Sequence, residues 1–402
     1  MNPQLTHLHP YPFEKLRSLL SQCHQPNPQE TIALSVGEPQ HALPGFVSPV
    51  LQSTWQSLNK YPKSKGSAAL RECIARWQTK RADLQPSSLD PEAQVLPVSG
   101  TREALFSFAQ AMLDPTLAQS KVGMPNPFYQ IYEGAAIMAG CEPFYINCLP
   151  ECAYQPDFNA VTPEQWDALQ LLYICNPHNP TGASFSLETL CMLVEKAQHH
   201  NFLLAADECY SEIYRNPSAP PISLLAACKH LGLDRFEKCI VFNSLSKRSN
   251  LAGLRSGFVA GDADLLTHYA RYRTYHGCTL SPVADAVSVA AWSDETHVSE
   301  NRALYQRKLD TAHALLTDLT PLPDPAGGFC LWIPTPVDDH AFTQSLYEAE
   351  NVLVLPGQFL ARSAHGINPG QSHIRVALVA EQSTCERGIQ KIAQHIARLQ
   401  NN

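Results

Sequence analysis

Short, continuous apolar runs interleaved with helical periodicity set the fold class of this 402-residue chain. Leu171-Leu172-Tyr173-Ile174-Cys175 stops at Asn176-Pro177, and Phe202 to Ala206 stops at Asp207. Cys239 to Phe242 runs into Ser244, and Val95, Leu96 and Val98 end at Ser99-Gly100. Between them, Leu105, Phe108, Ala109 and Met112 repeat at i, i+3, i+4 and i+7, as do Leu187, Leu190, Cys191 and Val194. Apolar strands that do not alternate, separated by amphipathic helices, predict an α/β domain whose mostly parallel sheet is covered on both faces. Ligands of open α/β sheets bind beyond the carboxyl ends of the strands. The residues just after the runs (Ser99-Gly100-Thr101, Asn176 to Gly182, Asp207 and Ser244 to Lys247) are therefore aimed at one sheet edge.

The texture changes after about Pro282. A helix-rich stretch through Arg302 to Leu319 precedes short strand-like pieces at Gly328 to Ile333, Val352 to Leu355 and His373 to Val379. This predicts a large domain over 41–281, a smaller α+β domain over 282–402, and a segment 1–40 that packs with the smaller domain or covers the site.

Chemistry concentrates in Ser244 to Gly257, SLSKRSNLAGLRSG. Lys247 follows a buried strand, where lost hydration favours its neutral amine. A neutral amine forms Schiff bases with aldehydes. Ser244 and Ser246 precede it and Arg255 follows eight residues on, the hydroxyl and guanidinium groups a phosphate needs. An aldehyde and a phosphate together describe pyridoxal 5′-phosphate (PLP). Asp207 ends a buried strand, where a carboxylate is costly without a cation; a protonated pyridine nitrogen is one. The plainer role is a helix cap. The rigid Asn176-Pro177-His178-Asn179-Pro180-Thr181-Gly182 can hold the Asn179 amide against a ligand oxygen, with Tyr210 beside it. Gly100, Thr101 and Arg102 open a helix, a ready phosphate site. Tyr129 can stack on a pyridine ring, and Phe128 is its rival.

These motifs, with N-P-x-N-P-T-G, D-E-x-Y and S-x-S-K in order, resemble the class I/II aminotransferases, PLP enzymes of fold type I, over residues 10 to 395. The resemblance implies that Lys247 carries the cofactor as a Schiff base. Asp207 pairs with the pyridine nitrogen, and Asn179 and Tyr210 hold the ring oxygen. Gly100, Thr101, Ser244 and Arg255 take the phosphate. It assigns Arg375 and the Gly37 backbone to the substrate α-carboxylate, and Tyr61 to the phosphate of a neighbouring subunit, so a homodimer is expected. Pro10 to Arg17, the residues after Lys247, Leu254 to Asp262 and Thr274 to Cys278 narrow the resemblance to N-succinyldiaminopimelate aminotransferases, from which Ala252 departs where proline is usual. The implied reaction moves nitrogen between glutamate and N-succinyl-2-amino-6-oxopimelate. A second cation is then needed for the succinyl carboxylate. Arg273 is favoured over Arg17, Arg248 and Arg271.

Three other readings stand beside this one: an aminotransferase for another amino acid, a carbon–sulfur β-lyase on the same fold, and a regulator carrying an aminotransferase-like domain. The formal net charge of −8 argues against nucleic acid or an anionic membrane as partner. No apolar run reaches the length of a membrane span. The 13 cysteines include no C-x-x-C pair, which points to reduced thiols and a cytoplasmic location. No histidine cluster has zinc-ligand spacing; His276 and Cys278 stand without further ligands in sequence.

Overall fold

The computed structural model describes residues 1–24, 30–117 and 120–401. A short strand, β1 (Ile32–Ala33), comes first. Then follow β2 (Val95–Val98), β3 (Lys121–Asn126), β4 (Glu142–Asn147), β5 (Leu169–Cys175), β6 (Leu203–Asp207), β7 (Cys239–Ser244) and β8 (Gly257–Gly261). The last four are β9 (Cys330–Pro334), β10 (Val352–Leu353), β11 (Leu355–Pro356) and β12 (His373–Ala377).

Among the described residues, β2 to β8 form one sheet in the order β2-β8-β7-β6-β5-β3-β4. Neighbours from β7 to β4 pair in parallel, whereas β8 runs against both β7 and β2. The apolar runs are continuous because both faces are covered. Leu172, Ile174, Leu204, Ala206 and Val241 enter one core, while Leu171, Tyr173, Ala205, Ile240 and Phe242 enter another on the opposite face. The reversal of β8 has a local cause. A parallel return needs a long crossover, and the chain between Ser244 and Gly257 holds only one turn of helix (Leu245–Arg248) and a 3-10 turn. That tight return carries Lys247 and Arg255.

A second body is built on β11-β12-β9, all antiparallel, with β1 and β10 paired in parallel through Ile32 and Val352. Leu309, Leu316, Ile333, Val376 and Ile392 share its core with Ile32 and Leu34. Leu16 packs with Trp332 and Leu355. The sequence-based division at 282 does not match the packing. Helix Pro282–Ser293 buries Ala284, Val287, Ala291 and Trp292 in the large core, where Trp292 meets Trp77 at 4.7 Å between ring centroids. The apolar face of that helix, rather than its place in the chain, sets its allegiance. We propose the division between this helix and the next, Thr296–Leu316, which enters the smaller core.

Candidate active site

The strand ends β5, β6 and β7 converge on a cavity of about 580 Å³. Lys247 lies at its floor, on the turn of helix that Ser244 caps by accepting the Ser246 N–H at 3.0 Å. The Lys247 ammonium donates to the Gly37 carbonyl at 2.5 Å and lies 5.2 Å from the Phe329 ring centre. Burial brings its pKa down from 10.5 to about 8, with the Arg375 charge acting in the same direction. The amine therefore sheds its proton far more readily than an exposed lysine.

At one end of the cavity is Asp207. Its Oδ2 accepts the Tyr132 hydroxyl at 2.8 Å and its Oδ1 the Cys209 N–H at 3.2 Å. Burial raises its pKa, against those two donors and Lys247, which favour the carboxylate. A cation at the open side would relieve that cost. At the other end, helix Thr101–Met112 presents its N-terminus, and Ser244, Ser246 and Arg255 line the wall. Gly100 caps this helix at φ +85°, and a Cβ there would collide with the Arg255 guanidinium. Only glycine lets the arginine lie so close to the helix start. Ser244 Oγ donates to Ser246 Oγ at 2.8 Å, so both hydroxyls are gathered at one place. An anion cup, an amine and a buried carboxylate thus stand in line. This donor set fits PLP: phosphate in the cup, aldehyde at the lysine, ring nitrogen at the carboxylate.

Above the lysine lies Arg375, 7% exposed. It donates to Asn179 Oδ1 at 3.3 Å and to the Ser35 carbonyl at 2.9 Å. Its Nε lacks a protein acceptor, and no carboxylate pairs with it among the described residues. A buried guanidinium without a counter-ion, facing a cavity, is an anion site. Asn179 is held by its loop, in which His178 is bonded to Thr181 Oγ1 at 2.8 Å and to the Pro127 carbonyl at 3.0 Å.

Of the sequence-predicted residues, Lys247, Thr101, Arg102, Tyr129, Asn179, Asp207, Tyr210, Ser244, Ser246, Arg255, Gly37 and Arg375 all reach this cavity. Tyr129 lines the cavity, whereas Phe128 is buried against Tyr145 with ring centroids 5.5 Å apart. Gly100 lies behind the wall, acting through Arg255. Tyr61, expected at the phosphate of a neighbouring subunit, is fully exposed and does not line the cavity of its own chain. Arg273 does not line the cavity; it is buried, its Nη1 paired with Glu103 and its Nη2 donating to the Cys278 carbonyl at 2.7 Å. Helix Ala263–His276 turns this side chain inward. Arg248 is likewise buried, between Trp77 and Trp292 and paired with Glu295. Arg17 and Arg271 are exposed outside the cavity. His276 and Cys278 gain a neighbour that sequence spacing hid. Glu103 brings the three ligand atoms within 4.8 Å of one another, although its Oε1 is taken by Arg273.

Sequence reasoning missed Tyr11, Tyr132 and Glu38. Tyr11 lines the mouth and accepts from Arg102 Nη2 at 3.3 Å, while Tyr129 accepts from Arg102 Nε at 2.9 Å. The signal for Tyr132 was available: it stands three residues after Tyr129 on helix Gln130–Met138, one turn further along.

Comparison with known proteins places this geometry. The family model for aminotransferase class I and II matches residues 29–392. An aminotransferase structure from Neisseria meningitidis is similar at 40% identity and a TM-score of 0.93, over 98% of this chain and 99% of that one. An aminotransferase from Helicobacter pylori is 34% identical with a TM-score of 0.88, over 97% and 99%. The LL-diaminopimelate aminotransferase of Dehalococcoides mccartyi is 28% identical, with 98% of both chains covered. The chain is thus a member of the class I and II aminotransferases, and the cofactor of its site is pyridoxal 5′-phosphate.

Proposed function

We propose that this enzyme transfers an amino group between glutamate and a diaminopimelate skeleton, with N-succinyl-2-amino-6-oxopimelate and N-succinyl-LL-2,6-diaminopimelate as the substrate pair. The carrying observation is Arg375, a buried guanidinium at the Lys247 cavity with no counter-ion among the described residues. It suits the α-carboxylate that glutamate and diaminopimelate share. PLP supplies the aldehyde that Lys247 captures and a ring that withdraws electrons from the substrate Cα. The protein does the rest. Arg375 and Asn179 orient the substrate. Once the substrate's own amine has taken its place at the aldehyde, the freed Lys247 Nζ would take the Cα proton and return it to the cofactor side as general base and then acid. Asp207, oriented by Tyr132 and the Cys209 N–H, presents its charge to the ring nitrogen.

For the far end of the substrate, Arg102 replaces Arg273 in this reading, since it lines the mouth with Tyr11 and Tyr129. A second substrate is favoured by a specific observation. Glu38 also lines the cavity, and a carboxylate there suits the distal ammonium of free LL-diaminopimelate, the compound for which the similar relatives are named. Succinylation replaces that ammonium by an amide. Single-turnover absorbance with glutamate, N-succinyl-LL-diaminopimelate and LL-diaminopimelate separates the two. Faster turnover of the succinylated compound is expected. No amino-group transfer from either diaminopimelate compound would refute the proposal. A β-lyase would instead turn over without a keto acid.

We further infer a homodimer in the cytoplasm. Leu51, Trp55, Leu58 and Tyr61 are 39%, 60%, 63% and 102% exposed, a strip suited to a partner copy that would bring Tyr61 to the other site. All 13 cysteines are unpaired, in keeping with a reducing compartment. No helix among the described residues is long and apolar enough to cross a membrane. Sedimentation of wild type against Trp55→Asp checks the dimer; a monomeric wild type would refute it.

A further inference from the structure

Away from the cofactor cavity, a buried chain of polar groups ends on the peptide of the catalytic lysine. Lys308, on helix Thr296–Leu316, is 3% exposed and has no carboxylate partner among the described residues. Its Nζ donates to the Leu378 carbonyl at 3.3 Å and to the Ala380 carbonyl, and it lies 2.7 Å from His41 Nε2. An ammonium only donates, so Nε2 must accept and the His41 proton must sit on Nδ1. That Nδ1 is 2.7 Å from Asn301 Oδ1, which accepts it. The Asn301 amide is thereby oriented, and its Nδ2 donates to the carbonyls of Lys247 at 3.1 Å and Arg248 at 3.2 Å. The ring of His41 is wedged against Tyr305 with centroids 4.5 Å apart. Asn250, three residues after the lysine, donates to the carbonyls of His41 and Ala42.

Each hydrogen bond in this series has one possible direction, and the series joins three parts of the site. Leu378 and Ala380 follow β12, which carries Arg375. His41 follows Gly37, whose carbonyl receives the Lys247 ammonium. Asn301 grips the turn that bears Lys247. We propose that Lys308, His41 and Asn301 form a positioning relay that fixes the Lys247 turn against the Arg375 strand, and that it works only while His41 is neutral and protonated on Nδ1. A proton on Nε2 would remove the acceptor for Lys308 and set two cations against each other. The charged groups facing His41 are Lys308 and Arg307 on the helix and Glu381 beyond β12; two repel the imidazolium and one attracts it. Burial further opposes the charge and lowers the His41 pKa.

The relay rests on the aminotransferase reading but is tested separately from the substrate. His41→Phe keeps a ring against Tyr305 and removes both hydrogen bonds. His41→Gln keeps one acceptor and one donor without a titratable group. With apoprotein, the rate at which Lys247 captures PLP is followed by absorbance from pH 5 to 8. The same variants are then compared in the glutamate half-reaction, with melting temperature recorded. We expect His41→Phe and Asn301→Leu to slow both capture and half-reaction by about tenfold or more, the order of one lost buried hydrogen bond, here one that orients the Lys247 turn. His41→Gln should recover to within about threefold of wild type by the same measure, with the acid-side decline that His41 contributes removed. Equal rates for wild type and His41→Phe overturn the relay. So does a His41→Gln variant as slow as His41→Phe at every pH, since restoring an acceptor and a donor would then restore nothing. If no amino donor is turned over but capture behaves as described, the relay stands and the substrate proposal falls.

Discussion

The two halves of the cavity are assembled differently. The cofactor half draws Asp207, Asn179, Ser244 and Lys247 from the ends of adjacent strands, and each follows directly on an apolar run. The substrate half takes Gly37 from beside β1, Arg375 from β12, Tyr11 from the N-terminal segment and Arg102 from the start of a helix. One sheet edge positions the first set almost independently of the rest of the molecule. Apart from Arg102, the second comes together only when the smaller body and the N-terminal segment are docked. Cofactor contacts should therefore depend mainly on the sheet, with the Lys247 turn also braced from outside it through Asn301 and His41, and substrate choice on the docking.

The largest effect tests the first half. Lys247→Met should reduce turnover about 10³–10⁴-fold or more, because one group both holds the aldehyde and moves the proton. PLP should still be retained by the phosphate cup, without the absorbance of a lysine adduct. Retained turnover would break the assignment. Next, Asp207→Asn removes a buried charge whose Tyr132 and Cys209 donors would remain. Loss of such a charge partner costs about 3–5 kcal/mol, roughly 10²- to 5 × 10³-fold in the half-reaction. Its KM for glutamate should hardly move. Arg375→Ala tests the other half: KM for every carboxylate substrate should rise by about 10-fold or more, from a charged hydrogen bond of about 1.5–3 kcal/mol. PLP affinity should be unchanged. If it falls as far as KM rises, the halves are not separable.

This division also explains how far the sequence was legible. Apolar runs and the residues after them are adjacent in the chain, so β5, β6 and β7 and their terminal groups could be read directly. Helix Pro282–Ser293 was placed in the wrong body because its apolar face says that it is buried but not against what. Arg273 was misread for a related reason. Its exposure depends on where Glu103 lies, far away in sequence, and the two meet only through the packing of two helices. The role of His41 needed the tertiary contacts of Lys308 and Asn301, none of which has a signature in spacing.

Arg273 supplies the next comparison. Arg273→Ala should leave KM for both substrates within about twofold, since its guanidinium faces Glu103 and not the cavity. It should instead destabilise the fold by about 3–5 kcal/mol, because the Glu103 carboxylate would remain in partly buried surroundings without its partner. A selective rise in KM for the succinylated substrate, with stability intact, would restore the original sequence-based role. Arg102→Ala should show the reverse pattern, with KM raised and the melting temperature unmoved.

The smallest effect concerns the amine itself. Lys247 has a folded pKa of about 8 against 10.5 for the free side chain. Below pH 8 both folded and unfolded apoprotein hold the proton, and the folded state bears the full cost of burying the charge. Between pH 8 and 10.5 the unfolded chain keeps its proton while the folded chain releases it, so this group's contribution to stability improves as pH rises. The gain is at most about 3 kcal/mol over that window. Denaturant unfolding of wild-type and Lys247→Met apoprotein across pH 7 to 10.5 isolates it, since other groups titrate in both. The stability difference, wild type minus variant, should climb with pH and level off near 10.5. A flat difference would mean that Lys247 titrates normally in the apoprotein. The sheet edge would then position the amine without preparing it, and the lowered basicity that proton transfer needs would have to come with the cofactor.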